Sequence, residues 1–133
     1  MNDRENLAKW RIEKAESCLR AAKALLEIND YFSAANRAYY CMFHSINSIF
    51  ALKDINFKKH SAVIAYFREK YIKTGSFPKF FSDVIGNLFR IRTKSDYDDF
   101  YIIEKSQITE QMENAELFLE QTKIYLANQG LEL

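Results

Sequence analysis

Glycine and proline are scarce in this sequence. Among its 133 residues there are three glycines and one proline, so few positions interrupt a helix or favour a left-handed turn. There is no repeat, no low-complexity tract and no linker. Three scattered glycines also exclude a glycine-rich phosphate-binding loop. We therefore expect a single domain that covers residues 1–133.

Cysteines and long apolar runs are also few. The two cysteines, Cys18 and Cys41, do not make a disulfide framework, and both lie in predicted helices, where a free thiol packs as a small hydrophobic group. No apolar run reaches the length of a membrane span, and the N-terminal segment MNDRENLAKW lacks the apolar core of a signal peptide. These absences predict a reduced, cytoplasmic, soluble protein with no membrane partner.

Neither sign of charge is in excess. Lysine and arginine number 19, aspartate and glutamate 18, and the net charge is +1, so the overall charge gives no reason to expect nucleic-acid or membrane binding. Any basic site must be local. Aromatic residues, in contrast, are abundant: 8 Tyr, 11 Phe and 1 Trp make up 15% of the chain. This excess predicts a dense core, a partner surface, or both.

Hydrophobic periodicity predicts helices along almost the whole chain. The five predicted helices run from about Asp3 to Glu27, Tyr31 to Leu52, Ser61 to just before Gly75, Lys79 to Arg92 and Ser106 to Asn128. Ser106 is predicted to cap the last helix, and TKSDYDDFY to follow the fourth as a polar, aromatic connection. The expected fold is all-α: an antiparallel four-helix-type bundle with the short third helix as an additional element.

A line of polar residues runs along the predicted second helix. Arg37, Tyr40, His44 and Asn47 are spaced by three, four and three residues, which places them on one face. One interpretation is a solvated face with a buried tyrosine–histidine hydrogen bond. The other is an anion or nucleotide site, in which arginine contacts phosphate through two hydrogen bonds, tyrosine stacks or hydrogen-bonds, and histidine titrates near neutral pH.

Two segments resemble a known family. NRAYYCMFHSINSIF, in the second helix, and FRIRTKSDYD, about forty residues later, are similar to the HEPN domain. More narrowly, the chain looks like the prokaryotic branch often encoded beside a minimal nucleotidyltransferase. The motifs are R-A-Y-Y-x-M-F-H from Arg37 to His44 and R-x-x-x-D-Y from Arg92 to Tyr97. The resemblance covers nearly the whole chain and includes ENAELFLEQ in the final helix.

This resemblance implies a homodimeric helical bundle that works with a nucleotidyltransferase partner in a toxin–antitoxin or defence-type system. Many HEPN domains are metal-independent ribonucleases that use an arginine and a histidine separated by four to six residues, and others bind nucleotides or act as scaffolds. In such a nuclease the histidine moves the proton of the 2′-hydroxyl and the arginine stabilises the phosphorane charge. RNA or a nucleotide is the implied ligand, and we expect no metal and no cofactor.

Two places in the chain are candidates for the nuclease motif. Arg37 and His44 enclose six residues, but a regular helix separates them by roughly 10 Å along its axis. The family motif usually lies later in the bundle, where this chain has Arg90 and Asp96 but no histidine. Because a charged aspartate is a poor proton donor at neutral pH, this departure argues against nuclease activity. The catalytic candidates are Arg37, His44, Arg90 and Asp96.

Candidates for binding RNA or a nucleotide come from both motifs. They are Arg37, Tyr40, His44, Asn47, Arg92 and Tyr97. Tyr97 is also the nearest candidate for modification by a nucleotidyltransferase. A simpler interpretation makes the segment from Asp96 to Asp99 an acidic turn, with Asp96 paired to Arg92 or Arg37. We expect the second and fourth helices to bring five polar side chains together: Arg37, Tyr40, His44, Arg92 and Asp96.

The remaining histidine and the cysteines suggest little further chemistry. His60, in FKKHS, is predicted to be a solvated loop or cap residue beside the basic patch of Lys58 and Lys59. Cys41 and His44 lie three residues apart, but without further ligands a metal site is not expected. Three hypotheses remain: a HEPN subunit that acts with a nucleotidyltransferase, an active metal-independent ribonuclease, and a non-catalytic nucleotide-binding or scaffold module.

Overall fold

The structure is a computed structural model that describes residues 1–133. It consists of five α-helices without strands: α1 Asp3–Glu27, α2 Tyr31–Leu52, α3 His60–Phe67, α4 Phe80–Tyr97 and α5 Lys105–Asn128. One π-helical stretch, Arg68–Ile72, continues α3. The predicted all-α fold with a short third helix is confirmed. No helix is both long enough and apolar enough to cross a membrane.

Local capping sets the boundaries of the first two helices. The Asn2 side chain accepts a hydrogen bond from the backbone N–H of Glu5 at 2.8 Å, and the Glu5 carboxylate accepts one from the N–H of Asn2 at 3.2 Å, which is a complete capping box. Asn29 takes a left-handed conformation with φ 61, and Asp30 caps α2 by accepting from the N–H of Ser33. This tight turn folds α2 back along α1, the most extensive helix pairing in the domain.

Much of the aromatic content forms the core between α3, α4 and α5. Phe67, Phe77 and Phe118 are almost fully buried. The ring centroids of Phe67 and Phe77 lie 5.1 Å apart, and those of Phe81 and Phe118 lie 5.3 Å apart. Edge-to-face pairs of this kind contribute about 0.5–1.5 kcal/mol each beyond the burial of their surface. A dense aromatic core therefore explains much of the excess seen in the composition.

The prediction for the end of the fourth helix was wrong. Helix α4 continues past Arg92 to Tyr97 and includes residues that were predicted to form the polar connection. One local contact supports it: Nε of Arg92 lies 3.1 Å from Oδ2 of Asp96, four residues on. Opposite charges at this spacing stabilise a helix. Only from Asp98 onward does the chain leave the helix.

The predicted cap of the fifth helix was also wrong. Helix α5 begins at Lys105, so Ser106 is its second residue and not its cap. Glu104 occupies the cap position in an extended conformation, and no side chain caps the first turn. Apolar packing stabilises the start of α5 in place of a cap. Ile103, before the helix, and Ile108, in its first turns, are buried in one cluster with Ala34, Ala35 and Ile91.

Candidate functional site

Arg92 joins α4 to α2. Its Nη2 donates to the hydroxyl of Tyr40 at 3.3 Å, and its guanidinium carbon lies 5.3 Å from the centroid of the Tyr39 ring and 5.8 Å from that of Tyr40. The 3.1 Å contact between Nε and Asp96 is an ion pair that lacks hydrogen-bond geometry. The carboxylate of Asp96 and the rings of Tyr39 and Tyr40 hold the guanidinium of Arg92 in one place, whereas an arginine without such contacts is mobile.

Arg37 approaches the same phenol ring from within α2. Its guanidinium carbon lies 5.2 Å from the centroid of the Tyr40 ring. Nε and Nη2 donate to Oδ1 of Asn36 at 3.1 and 2.7 Å, and Nη1 lies 3.7 Å from Sγ of Cys18. All of these partners are neutral, and Arg37 forms no ion pair. Its positive charge is therefore not offset by an ion pair.

His44 completes this group of side chains. The centroids of its ring and of the Tyr40 ring lie 5.8 Å apart. We call the five residues the α2–α4 cluster: Arg37, Tyr40, His44, Arg92 and Asp96. The structure confirms that they come together as predicted. It also confirms that Asp96 pairs with Arg92. A cavity of about 480 Å³ lies beside the cluster, with Arg37 and Asp96 in its wall.

Three other predicted residues lie outside the cluster. Arg90 is exposed and donates to Oδ1 of Asn87 at 3.1 Å, and it lies roughly 200° around the helix from Arg92. Tyr97 is 79% exposed at the end of α4. Asn47 donates through Nδ2 to the carbonyl of Phe43 at 3.2 Å.

The environment of His44 makes it a neutral imidazole at pH 7. The pKa of His44 is lowered to about 4, mainly by burial and in addition by the positive charges of Lys14, Arg37 and Arg11, with a contribution from His60. A neutral imidazole can accept a proton, although one with so low a pKa is a weak base. A bound anion would offset the neighbouring charges and raise this pKa.

The prediction of His60 as a solvated loop or cap residue was wrong. His60 is the first residue of α3, and its ring stacks on Phe43 with centroids 4.0 Å apart. Its Nδ1 lies 2.8 Å from the hydroxyl of Tyr39. Burial, together with the charge of Arg92, lowers the pKa of His60, while burial raises the pKa of Tyr39. A partly buried tyrosine–histidine hydrogen bond does exist, but it joins two residues outside the polar line.

The cysteines are buried thiols, and Cys18 contacts the cluster through Nη1 of Arg37. Cys41 is fully buried, and its Sγ lies 3.9 Å from the backbone oxygen of Ala115 in α5. Burial raises the pKa of both Cys18 and Cys41, so both remain protonated thiols at neutral pH. No group of three or more His, Cys, Asp or Glu side chains is arranged to hold a metal ion.

Comparison with known proteins agrees with this architecture. A model of the HEPN domain matches residues 8–125, from α1 into α5. A UPF0332 protein of Thermotoga maritima is 32% identical over 120 residues, which cover 90% of this chain and 91% of that protein. In Methanocaldococcus jannaschii, "Putative toxin MJ0142" is 33% identical over 90% of this chain and 82% of its own length, and "Putative toxin MJ0605" is 38% identical over 65% and 64%. The chain therefore belongs to the HEPN domain family.

Proposed function

We propose that this chain is the toxin-type subunit of a toxin–antitoxin or defence-type system and that it binds RNA, or a nucleotide, at the α2–α4 cluster. Membership of the HEPN family and the two relatives named "Putative toxin" support the biological class. The choice of ligand rests on the geometry of the cluster, because a net charge of +1 for the whole chain does not itself point to nucleic acid.

The convergence of two arginines on one tyrosine ring carries the proposal. Arg37 from α2 and Arg92 from α4 lie 5.2 and 5.8 Å from the centroid of the Tyr40 ring. Guanidinium groups bind phosphate oxygens through paired hydrogen bonds, and exposed aromatic rings stack on unpaired bases. One carboxylate, that of Asp96, offsets one of the two charges, which leaves a local positive charge beside a partly exposed ring.

Binding of a labelled single-stranded RNA, followed by fluorescence anisotropy at several salt concentrations, tests this site. We expect Arg37→Gln and Arg92→Gln to weaken binding and to reduce the slope against salt by about 1 each. Arg20→Gln is the matched control, since Arg20 is an exposed arginine on α1 without an ion pair. Equal binding by all three variants and the wild type would refute the site. Thermal unfolding of each variant separates lost binding from lost folding.

A homodimer and a nucleotidyltransferase partner are part of the proposal. Both come from the family resemblance. The connection between α4 and α5 offers a suitable surface for the second subunit of a homodimer. Phe100 and Ile102 are 93% and 81% exposed and follow Asp96 closely in the chain. Apolar side chains this exposed are typical of contact surfaces. Co-expression with the product of a neighbouring nucleotidyltransferase gene tests the second partner: a complex that co-purifies supports it, and separate elution argues against it.

Tyr97 is the residue we propose for modification by that partner. Its side chain is 79% exposed and lies at the last turn of α4, one residue from the Arg92–Asp96 ion pair. An enzyme can therefore reach the hydroxyl without unfolding the helix. After co-expression, mass spectrometry should find a nucleotide adduct on the peptide that contains Tyr97, and Tyr97→Phe should lose it. An adduct on another tyrosine would show that Tyr97 is not the modified residue.

Ribonuclease activity is the second candidate function. The observation that favours it is the neutral state of His44 close to Arg37, because a general base must be unprotonated. Two observations weigh against it: the low pKa of His44 makes it a weak base, and Asp96, where the family resemblance implies a histidine, forms an ion pair with Arg92. Binding without cleavage is therefore the function that the geometry supports best.

A further inference from the structure

A second cavity, of about 340 Å³, shares His44 with the α2–α4 cluster and none of its other members. Three parts of the chain build its wall: α1, α2 and the segment that leads into α3. We call it the basic pocket and define it by the polar residues that line it: Arg11, Lys14, His44, Asn47, Asn56, Lys58 and His60.

The charge of the basic pocket is of one sign. Arg11, Lys14 and Lys58 line it, and no carboxylate does. None of the three forms an ion pair elsewhere. Arg11 donates to the backbone oxygen of Asn47 at 2.8 Å, and Nζ of Lys14 lies 4.8 Å from the centroid of the Trp10 ring. Three uncompensated cations around one concave surface attract an anion and repel one another in its absence.

The imidazoles give the pocket further hydrogen-bonding groups. The Phe43 ring contacts both: its centroid lies 4.0 Å from that of His60 and 6.5 Å from that of His44. His60 also begins α3, whose first turn has no side-chain cap. The unpaired N–H groups of that turn carry partial positive charge next to the pocket. A small anion in the pocket would thus meet cations and the His44 ring, next to the uncapped start of α3.

We propose that the basic pocket binds a phosphate group, held by Arg11, Lys14 and Lys58, and that His44 takes up a proton when the phosphate enters. The phosphate of a free nucleotide and that of an RNA chain share this chemistry. Because only His44 belongs to both sites, the proposal goes beyond RNA binding at the α2–α4 cluster and can fail independently of it.

Binding should depend on pH through His44. Cations near this ring come from three helices: Arg11 and Lys14 from α1, Arg37 from α2 and, when protonated, His60 from α3. Lys58, from the segment before α3, lines the same pocket. A bound anion offsets their effect and raises the pKa of His44, so protonation and anion binding favour each other. Affinity for an anion of constant charge should therefore increase between pH 7 and pH 5. Sulfate has this constant charge, whereas phosphate titrates within the range.

Proton NMR of the two histidine rings provides a direct readout, because the chain contains no other histidine. Inorganic phosphate should shift the His44 signals saturably, and sulfate should raise the pKa of His44 in pH titrations. Lys14→Gln and Lys58→Gln should weaken phosphate binding about tenfold, as expected when one charge-assisted contact is lost. Lys59→Gln is the matched control, since Lys59 is exposed and adjacent to Lys58 but does not line the pocket.

Ligands of different length identify the source of the phosphate. An adenosine monophosphate or a 5′-phosphorylated RNA that binds more tightly than the 5′-hydroxyl RNA would indicate a terminal phosphate, whereas equal binding of both RNAs would indicate the chain backbone. Absence of a saturable His44 shift with inorganic phosphate at tens of millimolar would overturn the proposal, whatever RNA does at the α2–α4 cluster. Lys58→Gln and Lys59→Gln variants that lose equal phosphate affinity would also overturn it. Arg92→Gln should keep phosphate binding even where RNA binding at the cluster is lost.

Discussion

The hydroxyl of Tyr39 lies 2.8 Å from Nδ1 of His60. The guanidinium carbon of Arg92 lies 5.3 Å from the centroid of the same tyrosine ring. Tyr39 is fully buried. One side chain therefore separates the α2–α4 cluster, which contains Arg92, from the basic pocket, which His60 lines. A change at Tyr39 should affect both sites while touching neither ligand.

Tyr39→Phe should destabilise the protein by about 1–2 kcal/mol. The ring and its packing remain, but Nδ1 of His60 loses its partner in a partly buried position, and an unsatisfied polar group carries a cost of this order. Urea unfolding measures the change. Tyr31→Phe is a suitable control, because its hydroxyl contacts Asn29 at the surface at 3.3 Å. Equal effects of the two substitutions would contradict a specific contribution from the Tyr39–His60 hydrogen bond.

Stability should decrease as the pH falls from about 6.5 to about 4. The pKa of His44 is lowered from 6.5 to about 4 in the folded protein, so over this range the unfolded chain binds a proton that the folded one does not. The contribution of His44 is then fully present above pH 6.5 and is lost on acidification, by at most about 3 kcal/mol. The lowered pKa of His60 acts in the same direction.

Urea unfolding at pH 7, 6 and 5 measures this dependence. Carboxylates in ion pairs also titrate on acidification, so His44→Gln provides the comparison. This variant should show a flatter dependence of unfolding free energy on pH than the wild type. Identical slopes for the two proteins would mean that His44 is not the titrating group.

Asp96→Asn should change stability and RNA binding in opposite directions. It removes an ion pair between side chains that are 20% and 37% exposed, and a pair this accessible contributes about 0.5 kcal/mol. It also removes the negative charge from the α2–α4 cluster, so RNA should bind more tightly. Anisotropy and urea unfolding measure the two effects. Weaker RNA binding by Asp96→Asn would indicate that the carboxylate itself contacts the ligand.

Purified wild-type protein should show little or no cleavage of mixed RNA in the presence of a chelator. The reason is that the family resemblance implies a histidine where this chain has Asp96, and that the low pKa of His44 makes it a weak base. If cleavage is robust and His44→Ala abolishes it, the catalytic site lies on α2. Arg37→Ala should then slow cleavage by about 10²–10³-fold, as expected when a group that stabilises transition-state charge is removed. Gel analysis of labelled RNA gives both results.

Light scattering should show a dimer at micromolar concentration. Phe100 and Ile102 expose apolar surface that a partner subunit would cover. Phe100→Glu should shift the protein toward the monomer without loss of helical content, because a side chain that is 93% exposed contributes nothing to the core. Glu104→Gln, at an exposed site nearby, is the control. A monomeric wild type would contradict the dimer.

Local patterns in the sequence were sufficient to predict the helices and one half of the candidate site. Apolar periodicity identifies helices because it reflects neighbours three and four residues apart, and the same spacing placed Arg37, Tyr40 and His44 on one face of α2. The end of α4 was predicted too early because the Arg92–Asp96 ion pair supports the helix through residues of weak helical preference. That contact is local too, but it competes with a turn-like composition.

Tertiary packing alone decided the rest. Arg92 contacts Tyr40, which is 52 residues away in the sequence, and His60 contacts Tyr39, which is 21 residues away. Arg11 and Lys14 reach His44 only because the turn at Asn29 lays α1 against α2, and Lys58 joins them because the segment before α3 returns to the same surface. Each helix presents its own faces according to its sequence. Which faces meet depends on how the apolar stripes of all five pack, and no short segment contains that information.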